Sequence, residues 1–265
     1  MSRFDQMFSK CAWTLGLLMP LWALGGDRGS YPMPSKDNPV QAEAETLLAE
    51  LSGRLQDLKD LRATLNIQAD VPKVKIRPLS AEMYFLAPNQ FQLRSSRLAL
   101  LPRQNPMELF EFLKSQSAYR VLGMGYETVR QERCLQMNVM PTAAQSDWQL
   151  IRLWVHAQTG RIYKAEVTRR SLGTVLMDYF YHRAPSHPGL RVDLPDSLLF
   201  ETDATMMKLP KALTADLHRG RAKEGQGSAR PLQSPDGKAR VAMGFRWIAV
   251  NQGAAAQFFL ARKGS

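Results

Sequence analysis

The chain has 265 residues, 45% of them hydrophobic and 22% charged, which is enough apolar material for one sizeable core and excludes a wholly disordered protein. The formal net charge is +11, but eleven Lys/Arg against three Asp/Glu fall between Met207 and Ser265. The basic character therefore belongs to the C-terminal part, which suits anionic lipid head groups, nucleic acid or no partner at all, and it says little about the rest of the chain.

Residues 1–25 read as a secretory signal peptide. Arg3 and Lys10 precede the apolar run from Cys11 to Gly25, and Ala23 and Gly25 are the small residues of a cleavage site before Gly26. The run is short for a bilayer span, which needs about 20 residues. Removal of this segment takes Cys11 with it and leaves Cys134 alone, so no intramolecular disulfide is expected. Residues 26–37 are rich in Gly, Pro and Ser and read as a linker.

Asn38-Pro39-Val40-Gln41 has the form of a helix start, with Asn38 as cap, Pro39 in the first helical position and Gln41 closing a capping box. Val40, Ala44, Leu47, Leu48, Leu51 and Leu55 then follow helical spacing, predicting an amphipathic helix to about Leu58. Next, Leu61, Ala63, Leu65, Ile67 and Ala69 alternate with polar residues, the pattern of a strand with one apolar face. Further strands are predicted at Ala81–Leu86 and Phe91–Arg94, around a Pro88-Asn89 turn. Asn105-Pro106-Met107-Glu108 opens a second helix with Leu109, Phe110 and Leu113 on its apolar side.

From Tyr119 the pattern returns to strands, with Gly123-Met124-Gly125 marking a bend or bulge. Arg133–Met140, Trp148–His156, Arg161–Thr168 and Thr174–Tyr181 are strand-length and separated by turn signals, the signature of an antiparallel meander. Ser197–Thr202 is one more strand. Beyond Lys208 the patterning weakens, although Arg240–Val250 has strand character and Ala254–Leu260 that of a short helix.

Catalytic signatures are missing. The histidines 156, 182, 187 and 218 lack metal-ligand spacing, and there is no nucleophile elbow or phosphate loop. A polar rim of Asp178, Tyr181 and His182 is the one place where an enzyme's groups would gather. Trp148 and Trp154 lack the interleaved basic residues of a nucleic-acid-stacking sheet, and Trp154 reads as core or cavity wall. The expectations are thus no enzyme, no metal, no cofactor and no nucleic acid, in a chain read as a monomer.

Between Leu47 and Thr202 the order of elements resembles that of the LolA/LolB-type lipoprotein carriers. The resemblance rests on Ala81-Glu-Met-Tyr-Phe-Leu-Ala-Pro-Asn-Gln-Phe-Gln-Leu93, with its Pro-Asn-x-Phe turn, and on Cys134-Leu-Gln-Met-Asn-Val-Met-Pro141. Gln149-Leu-Ile-Arg-Leu-Trp-Val155 and the hairpin Gln158-Thr-Gly-Arg-Ile-Tyr-Lys-Ala165 extend it. It departs from the carriers at Ala87, where they place an Arg tied to lid movement.

What the resemblance implies is an α+β fold: a curved antiparallel sheet, or incomplete β-barrel, with helices covering its concave apolar side. It implies periplasmic binding of lipid or lipoprotein acyl chains in transport to the outer membrane, or else a lipid-responsive sensor that binds a membrane-protein partner. The domain is expected over 38–206, followed by a basic, partly disordered extension over 207–265. By alternation, the candidate cavity residues are Leu65, Ile67, Met83, Phe85, Phe91, Met137, Val139, Leu153, Val155, Ile162, Met177 and Tyr179. The same residues also suit a filled core.

Overall fold

The computed structural model describes residues 38–72, 76–95, 105–181, 190–204 and 237–263. The expected signal peptide and linker lie outside the described residues, as do His182, His187, His218 and residues 205–236.

Helix α1 spans Pro39–Leu55, and the Asn38 side chain accepts from the Val40 N–H at 3.0 Å. Its apolar stripe of Ala44, Leu47, Leu48, Leu51 and Leu55 is buried. The expected capping box does not close. Gln41 instead accepts from the Gly123 N–H at 2.9 Å and donates to the Val121 carbonyl at 3.0 Å. A non-local pair of backbone groups wins over the local one, because a sheet edge leaves such groups unsatisfied. Helix α2, Glu108–Lys114, starts later than its sequence signals suggested, since Asn105 caps a turn by accepting from the Met107 N–H at 2.9 Å.

The strands are β1 (Asp60–Asp70), β2 (Leu79–Leu86), β3 (Gln90–Arg94), β4 (Tyr119–Val129), β5 (Glu132–Pro141), β6 (Trp148–His156), β7 (Ile162–Arg169), β8 (Gly173–Phe180), β9 (Ser197–Asp203) and β10 (Lys238–Val250). The bulge expected at Gly123–Gly125 is present, with Gly125 at φ 125°. All ten strands form one antiparallel sheet in the order β3-β2-β1-β10-β9-β8-β7-β6-β5-β4. The edges β3 and β4 do not pair, so the sheet stays open. Helix α3, Ala254–Lys263, packs on β1 and β2.

One boundary needs correction. The sheet domain was expected to end at residue 206, yet β10 lies between β1 and β9 and pairs with both. Without it, two long strands would expose unpaired backbone in the middle of the sheet. The segment 237–263 thus belongs to the domain rather than to a tail. It is held at its far end by Asp60, whose carboxylate accepts from the Ala255 and Ala256 N–H groups at 3.2 and 2.8 Å, at the positive end of α3.

Candidate apolar binding site

Antiparallel pairing carries one row of side chains across eight strands. Ala69, Val241, Phe200, Met177, Ala165, Leu153, Met137 and Gly123 face one another in sequence from β1 to β4. A parallel row runs Leu79, Ile67, Met243, Leu198 and Tyr179. These rows make the concave face, and because side chains alternate in direction, the polar partners of each strand fall on the convex face.

Helices α1 and α2 fill the concavity. Phe110 of α2 meets the Tyr179 ring at 5.8 Å, and Phe112 stacks on Trp148 at 4.9 Å. Gly123 is where α1 comes closest to the sheet: a Cβ there would meet the Val40 carbonyl oxygen at 2.6 Å and the Ala44 methyl at 3.2 Å. The two helices are tied together by polar bonds. Ser52 Oγ and Gln56 Nε2 donate to the Lys114 carbonyl at 3.0 and 2.8 Å, and Lys114 Nζ donates to the Leu58 carbonyl at 2.6 Å. Lys114 also pairs with Glu111 at 2.5 Å, and burial holds the Glu111 carboxyl above the ordinary glutamate range despite that partner.

The structure brings the twelve sequence-predicted residues into one cluster. Leu65, Ile67, Met83, Phe85, Met137, Val139, Leu153, Val155, Ile162, Met177 and Tyr179 are all at 7% exposure or less, and Phe91, on the edge strand β3, is half-buried against them. Where α1 and α2 meet β7, a pocket of about 10 Å³ lies between Leu51, Phe110, Ile162 and Val192, with Arg54 and Arg161 at its rim. That is room for about one water. In this state the twelve residues therefore pack as core.

The buried cluster also takes in the apolar stripes predicted for the two helices, Leu48, Leu51 and Leu55 of α1 and Leu109, Phe110 and Leu113 of α2, and on the sheet side Val241, Met243 and Phe245 of β10, which the predicted set leaves out. The alternation of β10 was legible; its place in the sheet was not.

Tyr179 brings a hydroxyl into this core. Its hydroxyl has a thioether neighbour, Met177 Sδ, at 3.7 Å, and burial pushes its pKa up. The Tyr181 hydroxyl donates to the Ile162 carbonyl at 3.2 Å. Asp178 lies on the opposite, convex face across from Lys164, so Asp178 and Tyr181 do not converge as a catalytic rim. Trp154 is buried, as expected, but not in the concave cluster. It pairs with Gln136 and Lys164 on the convex side, where its Nε1–H donates to Glu127 at 2.6 Å. Cys134 is fully buried and its thiol is pushed up to about 11 by desolvation, which makes it inert near neutral pH. Among the described residues no three His, Cys, Asp or Glu side chains gather as a metal would require.

No family model and no curated protein matches the sequence. Solved structures do match. A DUF1329 family protein from Desulfovibrio piger superposes with a TM-score of 0.51 at 11% identity, covering 83% of this chain and 97% of its own. The chain shares that protein's fold, with its strands in one open antiparallel sheet. A domain assigned to outer membrane lipoprotein sorting in Vibrio parahaemolyticus follows, with a TM-score of 0.48, 11% identity, and coverage of 84% and 98%. A LolA superfamily protein from Nitrosomonas europaea gives 0.43, also at 11% identity, with coverage of 78% and 94%. At such identities the likeness is one of fold.

Proposed function

We propose that this protein binds an acyl chain or a similar apolar ligand between the concave face of its sheet and the helices α1 and α2, and does so in the periplasm. The observation that carries the reading is the concave wall itself. It is apolar, it belongs to a sheet with two unpaired edges, and it is covered by α1 and α2. Each buried methylene of a ligand contributes about 0.8 kcal/mol, so a long chain offsets the displacement of helix side chains from that wall. Lipoprotein transport is the leading use, on the strength of the Pro-Asn-x-Phe and hairpin motifs. Export is supported by the charge and hydropathy order of residues 1–25.

The packed core gives the reading a specific form. The ligand replaces contacts that α1 and α2 make in the empty state, so binding and helix displacement are one event. The Ser52, Gln56 and Lys114 bonds keep the two helices together as they move.

The test is native mass spectrometry of the full chain purified from membranes, together with titration by a fluorescent long-chain fatty acid. Co-purified lipid and saturable binding are expected. A protein that is empty on purification and takes up no fatty acid overturns the proposal.

A further inference from the structure

We infer that the convex surface formed by α3 and the end of β10 docks on an anionic lipid bilayer. This surface lies on the opposite side of the sheet from the concave site, and the inference does not depend on acyl binding there. Between Gly237 and Lys263 the sequence holds five Lys/Arg and no Asp/Glu. Lys238 and Arg240 are both engaged by Glu201. Arg246 is exposed, and Arg262, also exposed, donates to the amide oxygen of Gln92 at 2.6 Å rather than to a carboxylate.

Two large aliphatic side chains stand among these charges. Ile248 is the extra residue of a bulge opposite the Arg62–Ala63 step of β1, and it is 45% exposed. Bulges re-aim side chains, and here the result is an isoleucine turned to solvent. Leu260 on the outer side of α3 is 69% exposed. The inner side of α3 is already occupied, since Phe258 stacks on Tyr84 at 4.0 Å and Ala255 is fully buried. Among the described residues, Leu260 thus stands on the side of α3 away from Phe258 and Ala255. Two exposed aliphatic side chains and two exposed arginines, Arg246 and Arg262, match the interface of an anionic bilayer, where aliphatic groups enter the acyl boundary and guanidinium groups meet phosphates.

The Arg262–Gln92 bond places the end of α3 over β3. Docking in this way brings the β3 edge of the open sheet to the membrane and leaves the β4 edge, guarded by Gln41, facing away.

The experiment is co-sedimentation of the full chain with phosphatidylcholine vesicles, with and without phosphatidylglycerol, at low and high salt. Three variants separate the sources of binding: I248S/L260D, R246Q/R262Q, and a variant with Lys208, Lys211, Arg219, Arg221, Lys223 and Arg230 changed to Gln. Binding is expected on phosphatidylglycerol vesicles and to weaken with salt. The aliphatic pair of substitutions is expected to weaken it about tenfold. The arginine pair is expected to weaken it about twenty-five-fold, about fivefold per charge. The six-Gln variant keeps the dependence on the patch. Binding that is absent, unchanged by both patch variants, or lost only in the six-Gln variant overturns the inference. Thermal melts of the patch variants followed by circular dichroism are expected at the parent midpoint, which shows that they are folded independently of any fatty-acid uptake.

Discussion

The two halves of the sheet are assembled differently. From β4 to β9 every strand pairs with the next in sequence, joined by turns such as Arg130-Gln131, both at positive φ. From β3 through β1 to β10 the sheet joins the first strands of the domain to its last. β1 meets β10 over ten registered pairs from Leu61↔Val250 to Asp70↔Arg240, across most of the length of the chain. The meander is local and is set by its turns, whereas the seam is non-local and forms only once the chain ends find each other. Yet both contribute to one continuous concave face, so the apolar site depends on the seam as much as on the meander.

The severest way to break this comparison is to remove the seam. Truncation after residue 236 exposes the paired edges of β1 and β9 and deletes Val241, Met243 and Phe245 from the core. It is expected to abolish the cooperative thermal transition followed by circular dichroism. A truncated chain that still melts cooperatively contradicts a single domain closed by β10.

A finer contrast comes from matched core substitutions. Leu153→Ala in β6 and Met243→Ala in β10 each remove a fully buried side chain and should each cost about 2–5 kcal/mol in denaturant titrations. Their kinetics should differ. The meander substitution slows folding, while the seam substitution chiefly speeds unfolding, because local strands form earlier. Stopped-flow chevrons read this directly, and equal partition at both sites removes the distinction between the halves.

At the junction of α1 and β4, Gly123→Ala places a methyl against the Val40 carbonyl. The expected loss is about 1–3 kcal/mol, with faster proteolysis in α1 and the sheet intact. The smallest effect concerns α2. Burial raises the Glu111 pKa, so its contribution to stability is present below the unfolded carboxyl value and is lost as pH rises through the folded one. Glu111→Gln is therefore expected to flatten the fall in stability between mildly acidic and neutral pH. Urea midpoints of both proteins across that range test the sign, and a steeper fall in the variant refutes it.

The same division explains what could be read from the sequence. Strands β5 to β9 were predicted nearly to the residue because alternation and turn signals are local. The twelve concave residues followed from alternation alone. What failed was non-local. Gln41 was assigned to a local cap but serves the β4 edge, and Arg240–Val250 was seen as a strand but placed outside the domain because no local signal ties it to β1. Trp154 was read as core or cavity wall; it is buried, but alternation with Leu153 and Val155 sets it on the convex side. Whether these residues line a cavity or fill a core stayed open, since alternation tells which face a residue takes and not whether helices occupy the space before it.

The central claim, that an apolar ligand enters between the helices and the concave wall, is met most directly by photo-crosslinking. The full chain is loaded with a diazirine-bearing fatty acid, irradiated, and its adducts are mapped by peptide mass spectrometry. The account predicts adducts on residues such as Met137, Leu153 and Tyr179 of the sheet and Leu48 and Phe110 of the helices, competed away by unlabelled fatty acid. Adducts confined to the convex face around Ile248 and Leu260, or none that compete, would contradict it.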